Sequence, residues 1–303
     1  MKWALSSRLR ATDTITICFF VFLTLLNLFF FPSVANAGVF ILCNITGIVA
    51  IIFLATKTAQ NNNSPFAIAY YWYPIIIIPF VFKETYGMIL PIWQYDFDDV
   101  LIAADQWILG SNPTQWMSTI ASPLLTEILQ IAYTSYYFLF LIVGFELFKR
   151  NEKKEFHFFV FCIVYGFFLS YIGYFVLPAV GPRFTLHDFH SLNTELPGIY
   201  CTEFLRSIIN AGESIPENVS NPIAYVQRDV FPSGHTQLTL LIMYFAVRCK
   251  IKTRWLITIA GTLLIFSTVY LLYHYVTDVL AGIIFMLLTL WTAKKIYARK
   301  IIL

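Results

Sequence analysis

The sequence predicts an all-α fold, a polytopic membrane helix bundle with about eight transmembrane helices, an interfacial helix and a long outer loop. The composition is 58% hydrophobic and only 12% charged, and the mean hydropathy of +0.70 lies outside the range of ordinary soluble domains. Basic residues collect in alternate segments between the apolar stretches, as in membrane proteins. The stretches that are candidates to cross a hydrocarbon core of about 30 Å are residues 14–31, 37–56, 65–83, 122–148, 156–177, 234–249, 255–272 and 276–294.

The first stretch follows Lys2, Arg8 and Arg10 and precedes an Ala-Asn-Ala segment that ends at Ala37. A cleaved signal peptide ending at Ala37 is therefore an alternative to a first transmembrane helix. The apolar run is long for a signal peptide, which favours the helix. Loss of this helix would leave the charge pattern of the other segments intact.

The basic residues also predict the orientation of the chain. Sixteen of the twenty Lys and Arg residues fall on one side, so we expect both termini in the cytoplasm.

The net charge of +3 arises from these membrane-flanking residues and indicates the lipid bilayer, not nucleic acid, as the partner. Only Cys201 of the five cysteines faces outward, which excludes an intramolecular disulfide framework on that side. The outer basic residues are Lys83, Arg183, Arg206 and Arg228.

Two outer segments interrupt the run of apolar helices. Residues 84–121 carry aspartates among tryptophans and tyrosines, which predicts an amphipathic helix at the membrane interface; a brace without chemistry is the plainer alternative. Residues 178–231 form a loop that is long for a compact domain, and such loops are usually functional or disordered. Because Arg183 and His235 lie at its ends, we expect this loop to cap a site.

Pro232-Ser233-Gly234-His235 has the features of an anion site at the start of a helix. Pro232 favours a rigid turn, Ser233 is a good N-cap, and Gly234 lets an anion approach the backbone N–H groups. An ordinary capped helix with an interfacial histidine is the alternative.

His274 and Asp278 lie one helical turn apart, so the carboxylate can accept a hydrogen bond from one ring nitrogen and leave the other as a nucleophile. A helix-surface pair without chemistry is the alternative. The predicted topology nevertheless places Arg183, His235 and His274 at the same membrane surface, and such convergence is typical of an active site.

The segments around both histidines resemble the type 2 phosphatidic acid phosphatase superfamily. Phe-Pro-Ser-Gly-His at 231–235 is similar to its second motif, and residues 267–282, with His274 and Asp278, are similar to its third. In the first motif only Arg183 can be carried over.

The departures from the family pattern concern two basic residues. Val176 stands where the first motif has a lysine, and Thr268 replaces the arginine of the third motif. This pattern is similar to the inositol phosphorylceramide synthase branch, and the segment from Asp105 to Trp116 also resembles that branch.

The resemblance implies a phosphatase-like catalytic membrane domain over residues 86–303, preceded by N-terminal transmembrane helices in residues 1–85. His274 would attack phosphorus, oriented by Asp278, and His235 would protonate the leaving oxygen. This chemistry needs no cofactor, and the sequence predicts no metal site. The phosphate-binding groups that the resemblance implies are Arg183, Ser233 and the Gly234 amide.

The two missing bases leave a deficit of positive charge, because a phosphate dianion needs paired cations. We expect Arg228 to be a further phosphate ligand, since it is the closest candidate in sequence to His235. The other candidates are Lys83, His187, His190 and Arg206.

The function that this pattern predicts is an integral membrane lipid-phosphate phosphatase that acts through a phosphohistidine at the extracytoplasmic face. A lipid phosphotransferase differs only in what accepts the phosphoryl group, and the missing bases favour it. A non-catalytic transporter or scaffold is less favoured, since only Glu127 among the ionisable residues is expected within the membrane.

Short cytoplasmic tails favour a bacterial inner membrane with a periplasmic active site. Head group, lipid chain, acceptor and oligomeric state stay open.

Overall fold

The computed structural model describes residues 9–61 and 64–302, and over these ranges it contains helices and no β-strand, which confirms the all-α prediction. Lys2 and Arg8, which contribute to the predicted orientation, lie outside the described residues. The helices are α1 (Ala11–Phe29), α2 (Ala37–Gln60), α3 (Pro65–Trp72), α4 (Pro74–Ile92), α5 (Asp98–Leu109), α6 (Pro113–Ser118), α7 (Pro123–Thr134), α8 (Tyr136–Lys149), α9 (Lys153–Val176), α10 (Pro182–Thr185), α11 (Leu192–Glu195), α12 (Thr202–Gly212), α13 (Gly234–Arg248), α14 (Arg254–Tyr270) and α15 (Val276–Ile302).

Each of the eight apolar stretches is helical, but a count of eight membrane spans is not confirmed. Five helices, namely α1, α2, α4, α9 and α15, are long and apolar enough to cross a membrane. Helices α7 and α8 form a sixth candidate span that bends by 46° near Ser135. The third stretch breaks at Tyr73, where Pro74 begins α4, because proline ends the preceding hydrogen-bond ladder. Helices α13 and α14 are shorter, with 15 and 17 residues.

Helix α9 lies at the centre of the bundle and is buried on both sides. On one side Phe159 packs against Phe245 of α13, with ring centroids 5.3 Å apart. On the other side Phe168 stacks on Phe19 of α1 at 4.2 Å. Its aromatic content supplies large contact area to two clusters of apolar side chains, and α9 therefore connects the N-terminal helices to the rest of the fold.

The two ends of the bundle have different chemistry. Where α9 begins and α13 ends, the Arg150 guanidinium donates to the carbonyl oxygens of Cys249 and Lys250, both at 2.9 Å. At the opposite end, the Arg183 N–H donates to the Leu272 carbonyl oxygen at 3.1 Å. The predicted motifs therefore converge at one end of the helices, as the topology requires.

Two buried glutamates have structural partners. Glu127 of α7 accepts hydrogen bonds from the N–H groups of Ile199 and Cys201 at 2.9 and 2.7 Å, and so anchors the segment predicted as the outer loop. Glu84 of α4 accepts from the side-chain amides of Asn27 and Asn44, each at 2.8 Å, and joins α1, α2 and α4. From the sequence, only Glu127 is expected within the membrane. Its burial is explained by the main-chain N–H groups that donate to its carboxylate.

Candidate active site

The structure brings His235 and His274 together. Their ring centroids are 5.7 Å apart and the ring planes meet at 61°. His235 lies in the first turn of α13, and the Ser233 hydroxyl accepts from the Thr236 N–H at 3.2 Å, as the predicted N-cap does. The His235 ring packs against the ring of Tyr133 at 4.6 Å, which restricts its orientation.

The orientation of His274 depends on the main chain. Its Nδ1 lies 3.0 Å from the Val230 carbonyl oxygen, so Nδ1 carries the proton and donates, and Nε2 is the nitrogen that can attack. Asp278 lies 3.6 Å from the same Nδ1, beyond an ordinary hydrogen bond. The Asp278 carboxylate instead accepts from the Tyr275 N–H at 2.8 Å. Val230 is thus the orienting group that sequence reasoning missed, and no side-chain motif could have indicated a backbone carbonyl.

Burial keeps His274 in the form that a nucleophile needs. It lowers the pKa of His274 to about 4, while the carboxylate of Asp229 opposes this shift. The imidazole is therefore neutral at neutral pH.

Arg183 lies beside the histidines but is already paired. Its guanidinium donates to the Asn210 side-chain oxygen at 3.0 Å and forms an ion pair with Glu213. The rings of Phe184 and Tyr273 flank it at 4.8 and 4.6 Å. Arg183, the predicted phosphate ligand, thus lies in the site with its guanidinium paired to a carboxylate.

Two carboxylates in this site were missed by sequence reasoning. Asp229 and Glu213 line a small cavity together with Arg183, His235 and His274. Burial raises the pKa of Asp229, and His274 and Arg183 oppose that change. The cavity holds about 10 Å³, which is barely the space of one water molecule. A phosphate therefore requires a rearrangement, and Glu213 is the group it would replace.

Aspartates of the predicted interfacial segment hold the loops of the site, which gives this segment a structural role next to the histidines. Asp98 accepts from the N–H groups of Val180 and Gly181 at 2.9 and 2.8 Å, in the loop that leads to Arg183. Asp105 accepts from the N–H of Val276 at 2.9 Å and from that of Thr277 at 2.7 Å, at the start of α15. The spacing of seven residues puts both carboxylates on one face of α5, and this was the sequence signal that could have found them.

Arg228 is not brought to the histidines, so the structure does not support it as a phosphate ligand. It forms two hydrogen bonds with the Asp96 carboxylate, at 3.0 and 3.2 Å. It also donates to the carbonyl oxygens of Ile223 and Val226. The guanidinium thus fixes the segment that leads to the second motif. Sequence proximity to His235 was misleading because the side chain points along its own loop.

Three of the other basic candidates, Lys83, His187 and Arg206, also have partners elsewhere. Lys83 donates to the Gly212 carbonyl oxygen at 2.6 Å and to the Ser214 hydroxyl at 2.8 Å, next to Glu213. His187 pairs with Glu195 through Nδ1 at 2.6 Å. Among the described residues that line the histidine cavity, Arg183 is therefore the one permanent cation.

Gly234 lets α13 pack closely against α9. A Cβ atom at this position would lie 2.7 Å from the Tyr174 hydroxyl, closer than real side chains come. The sequence explains this glycine by the approach of an anion to the backbone, and the structure adds the tight contact between α13 and α9.

Comparison with known proteins identifies the family. Residues 99–292 match the family model of the PAP2 superfamily, which is well over half of the chain. The chain belongs to the PAP2 superfamily. This confirms the resemblance to type 2 phosphatidic acid phosphatases that the second and third motifs indicate.

A curated PAP2 relative is a PA-phosphatase related-family protein of Dictyostelium discoideum, 26% identical over 283 residues. The match covers 78% of this chain and 47% of the relative, so the chain spans about half the length of that protein. No solved structure gives a significant match. Within this PAP2 chain, the matched region begins in α5 and includes both histidines.

Proposed function

We propose that this PAP2 protein is a lipid-phosphate phosphatase that works through a phosphohistidine on His274, at the extracytoplasmic face. The observation that carries the proposal is the hydrogen bond from His274 Nδ1 to the Val230 carbonyl oxygen. The centroid of the His235 ring lies 5.7 Å from that of the His274 ring. One ring is thereby fixed as a neutral nucleophile while the second lies within reach of the leaving group. This is the minimum equipment for two-step phosphoryl transfer.

The reaction has two balanced steps. Nε2 of His274 forms a bond to phosphorus, the P–O bond to the lipid alcohol breaks, and His235 gives its proton to the leaving oxygen. Water then attacks the phosphohistidine, His235 takes one water proton, and inorganic phosphate leaves as the P–N bond breaks. The positive charge of Arg183 and the N–H groups at the start of α13 stabilise the equatorial oxygens.

To bind phosphate, Arg183 must break its ion pair with Glu213 and form a new one with the substrate. The guanidinium is buried and already oriented by Asn210, so the exchange does not require its side chain to reorganise. The cost lies in moving Glu213 at the end of α12.

Phosphotransfer to a hydroxyl is the second candidate, and the charge balance of the site favours it. Two carboxylates and one arginine line the histidine cavity among the described residues. A phosphodiester carries one negative charge and is repelled less by this set than a monoester dianion. A lipid or polyol hydroxyl would then replace water in the second step. The bacterial inner membrane stays a prediction for the location of either activity.

Product analysis with purified protein separates these functions. The protein in lipid nanodiscs is incubated with a lipid monophosphate, with and without a diacylglycerol or polyol acceptor. A phosphatase releases inorganic phosphate without an acceptor, whereas a transferase moves the phosphoryl group to the acceptor hydroxyl and forms a new phosphomonoester only when the acceptor is present. With a phosphodiester phospholipid as the donor in place of the monophosphate, the product of the transferase is a new phosphodiester. If neither product exceeds that of the His274→Ala variant over a panel of lipid phosphates, the proposal fails and a non-catalytic role is favoured.

A further inference from the structure

An apolar cavity of about 260 Å³ leads from the candidate active site into the helix bundle. At one end it is lined by His235, Asp229 and Glu213, and at the other by Ile75 of α4 and Leu141 of α8. Catalytic and apolar groups thus share one continuous space.

Helix α4, the bent pair of helices α7 and α8, and helix α9 contribute walls at helical spacing. Residues three or four apart lie on one face of a helix, so each helix presents a stripe to the cavity. The stripes are Ile75, Ile78 and Phe82 of α4; Tyr133, Tyr136 and Phe140 of α7 and α8; and Phe167, Tyr171 and Tyr174 of α9.

The cavity reaches deep below the outer surface. The Tyr86 hydroxyl of α4 donates to the Tyr225 carbonyl oxygen at 2.6 Å, which places this part of the helix against the long loop. Ile75 lies eleven residues earlier, about 16 Å deeper along the axis. A second apolar cavity shares Ile75, Ile78 and Leu141 with the first and continues towards Gly144. The two cavities lie one after the other along the path that a lipid chain would take if its phosphate lay at the histidines.

We infer that this cavity binds the hydrocarbon chain of the substrate, with the phosphate at His274 and the chain between α4, α8 and α9. This inference rests on the proposed function and adds a role for the N-terminal helices. The family match begins at residue 99, and helix α4 lies before it. The lipid chain would therefore contact a helix that the family model does not include. Ile75 is 42% exposed and Tyr137 is 43% exposed, so the cavity opens sideways where membrane lipid can enter.

The test compares a long-chain lipid phosphate with p-nitrophenyl phosphate, which has no chain. Ile78→Trp fills the cavity, and it should lower kcat/KM for the long-chain substrate about tenfold or more, in the range that lost methylene contacts produce. It should leave kcat/KM for p-nitrophenyl phosphate within about twofold, since the histidines are untouched. Ile76→Trp is the control, because Ile76 lies on the same helix and is 75% exposed. Unchanged long-chain kinetics in Ile78→Trp, or an equal loss on both substrates, would overturn the inference.

A labelling measurement separates this inference from the proposed function. A non-hydrolysable lipid phosphonate with a photoactivatable group in mid-chain should label α4 or α8 in wild-type protein, and Ile78→Trp should reduce that label. This result does not depend on turnover. Labelling confined to exposed residues such as Ile76 would contradict the chain site, whereas absence of phosphate release from every substrate would contradict the proposed function alone.

Discussion

Asp105 binds Thr277 twice, through the main-chain N–H at 2.7 Å and the side-chain hydroxyl at 2.6 Å. The carboxylate lies at the N-terminus of α15, where exposed N–H groups favour a negative charge. Because His274 lies two residues before this helix, Asp105 fixes the element next to the proposed nucleophile.

We predict that Asp105→Asn lowers kcat roughly 10- to 100-fold with little change in KM, since a small displacement of a catalytic group has an effect of this size. The amide has one acceptor oxygen where the carboxylate had two. The measurement is steady-state hydrolysis in nanodiscs. Asp99→Asn is the matched control, because Asp99 lies on the same helix and is exposed. Equal kinetics of the two variants would show that Asp105 does not position the site.

Glu213→Gln should strengthen binding of phosphate analogues. The wild-type carboxylate competes with phosphate for Arg183, and a neutral amide competes less because it lacks the charge. We expect the inhibition constant of orthovanadate to fall by about tenfold, which corresponds to about 1.4 kcal/mol. Glu217→Gln serves as the control, since Glu217 is exposed in the same outer loop. An unchanged constant in Glu213→Gln would mean that Glu213 does not occupy the phosphate position.

Asp229→Asn should move the acidic limb of the pH profile to lower pH. The Asp229 carboxylate favours protonated His274, and the protonated ring is not a nucleophile. Without that carboxylate, the pKa of His274 falls further below its value of about 4, so the neutral ring persists to lower pH. The measurement is kcat/KM between pH 3 and 8. A limb that moves to higher pH would contradict the placement of Asp229 beside the nucleophile.

Gly234→Ala should destabilise the protein by about 1–3 kcal/mol, as overpacking of a close contact does. The added methyl group meets the Tyr174 hydroxyl, so Tyr174→Phe in the same chain should recover part of the loss. Thermal unfolding in detergent measures both effects. Gly38→Ala is the control, since the space around that Cβ position is open. Failure of the double variant to recover stability would indicate a role of Gly234 other than packing.

Much of the fold and the central pair could be predicted from sequence, because apolar length and motif spacing are local signals. Hydropathy found the long apolar helices, and the motifs found His235, His274 and Arg183. Hydropathy did not find α12, which lies in the segment predicted as a long loop. Hydropathy did not predict the break at Tyr73 or the bend near Ser135, because tertiary packing decides how such helices continue.

The immediate partners of the site residues could not be predicted from sequence. Val230 acts through its carbonyl oxygen, which leaves no side-chain signal. Glu213 reaches Arg183 only because α12 folds over the site, a contact across 30 residues of outer loop. Arg228 was favoured for its closeness to His235, whereas its guanidinium pairs with Asp96 from a distant segment. Long-range contacts of this kind depend on the assembled fold.

The most direct test of the central claim is rapid-quench trapping with a ³²P-labelled lipid phosphate, followed by identification of the labelled peptide. We predict transient label on the peptide that contains His274, and loss of both label and turnover in His274→Ala. Turnover at the wild-type rate in His274→Ala, or label on a different residue, would contradict it.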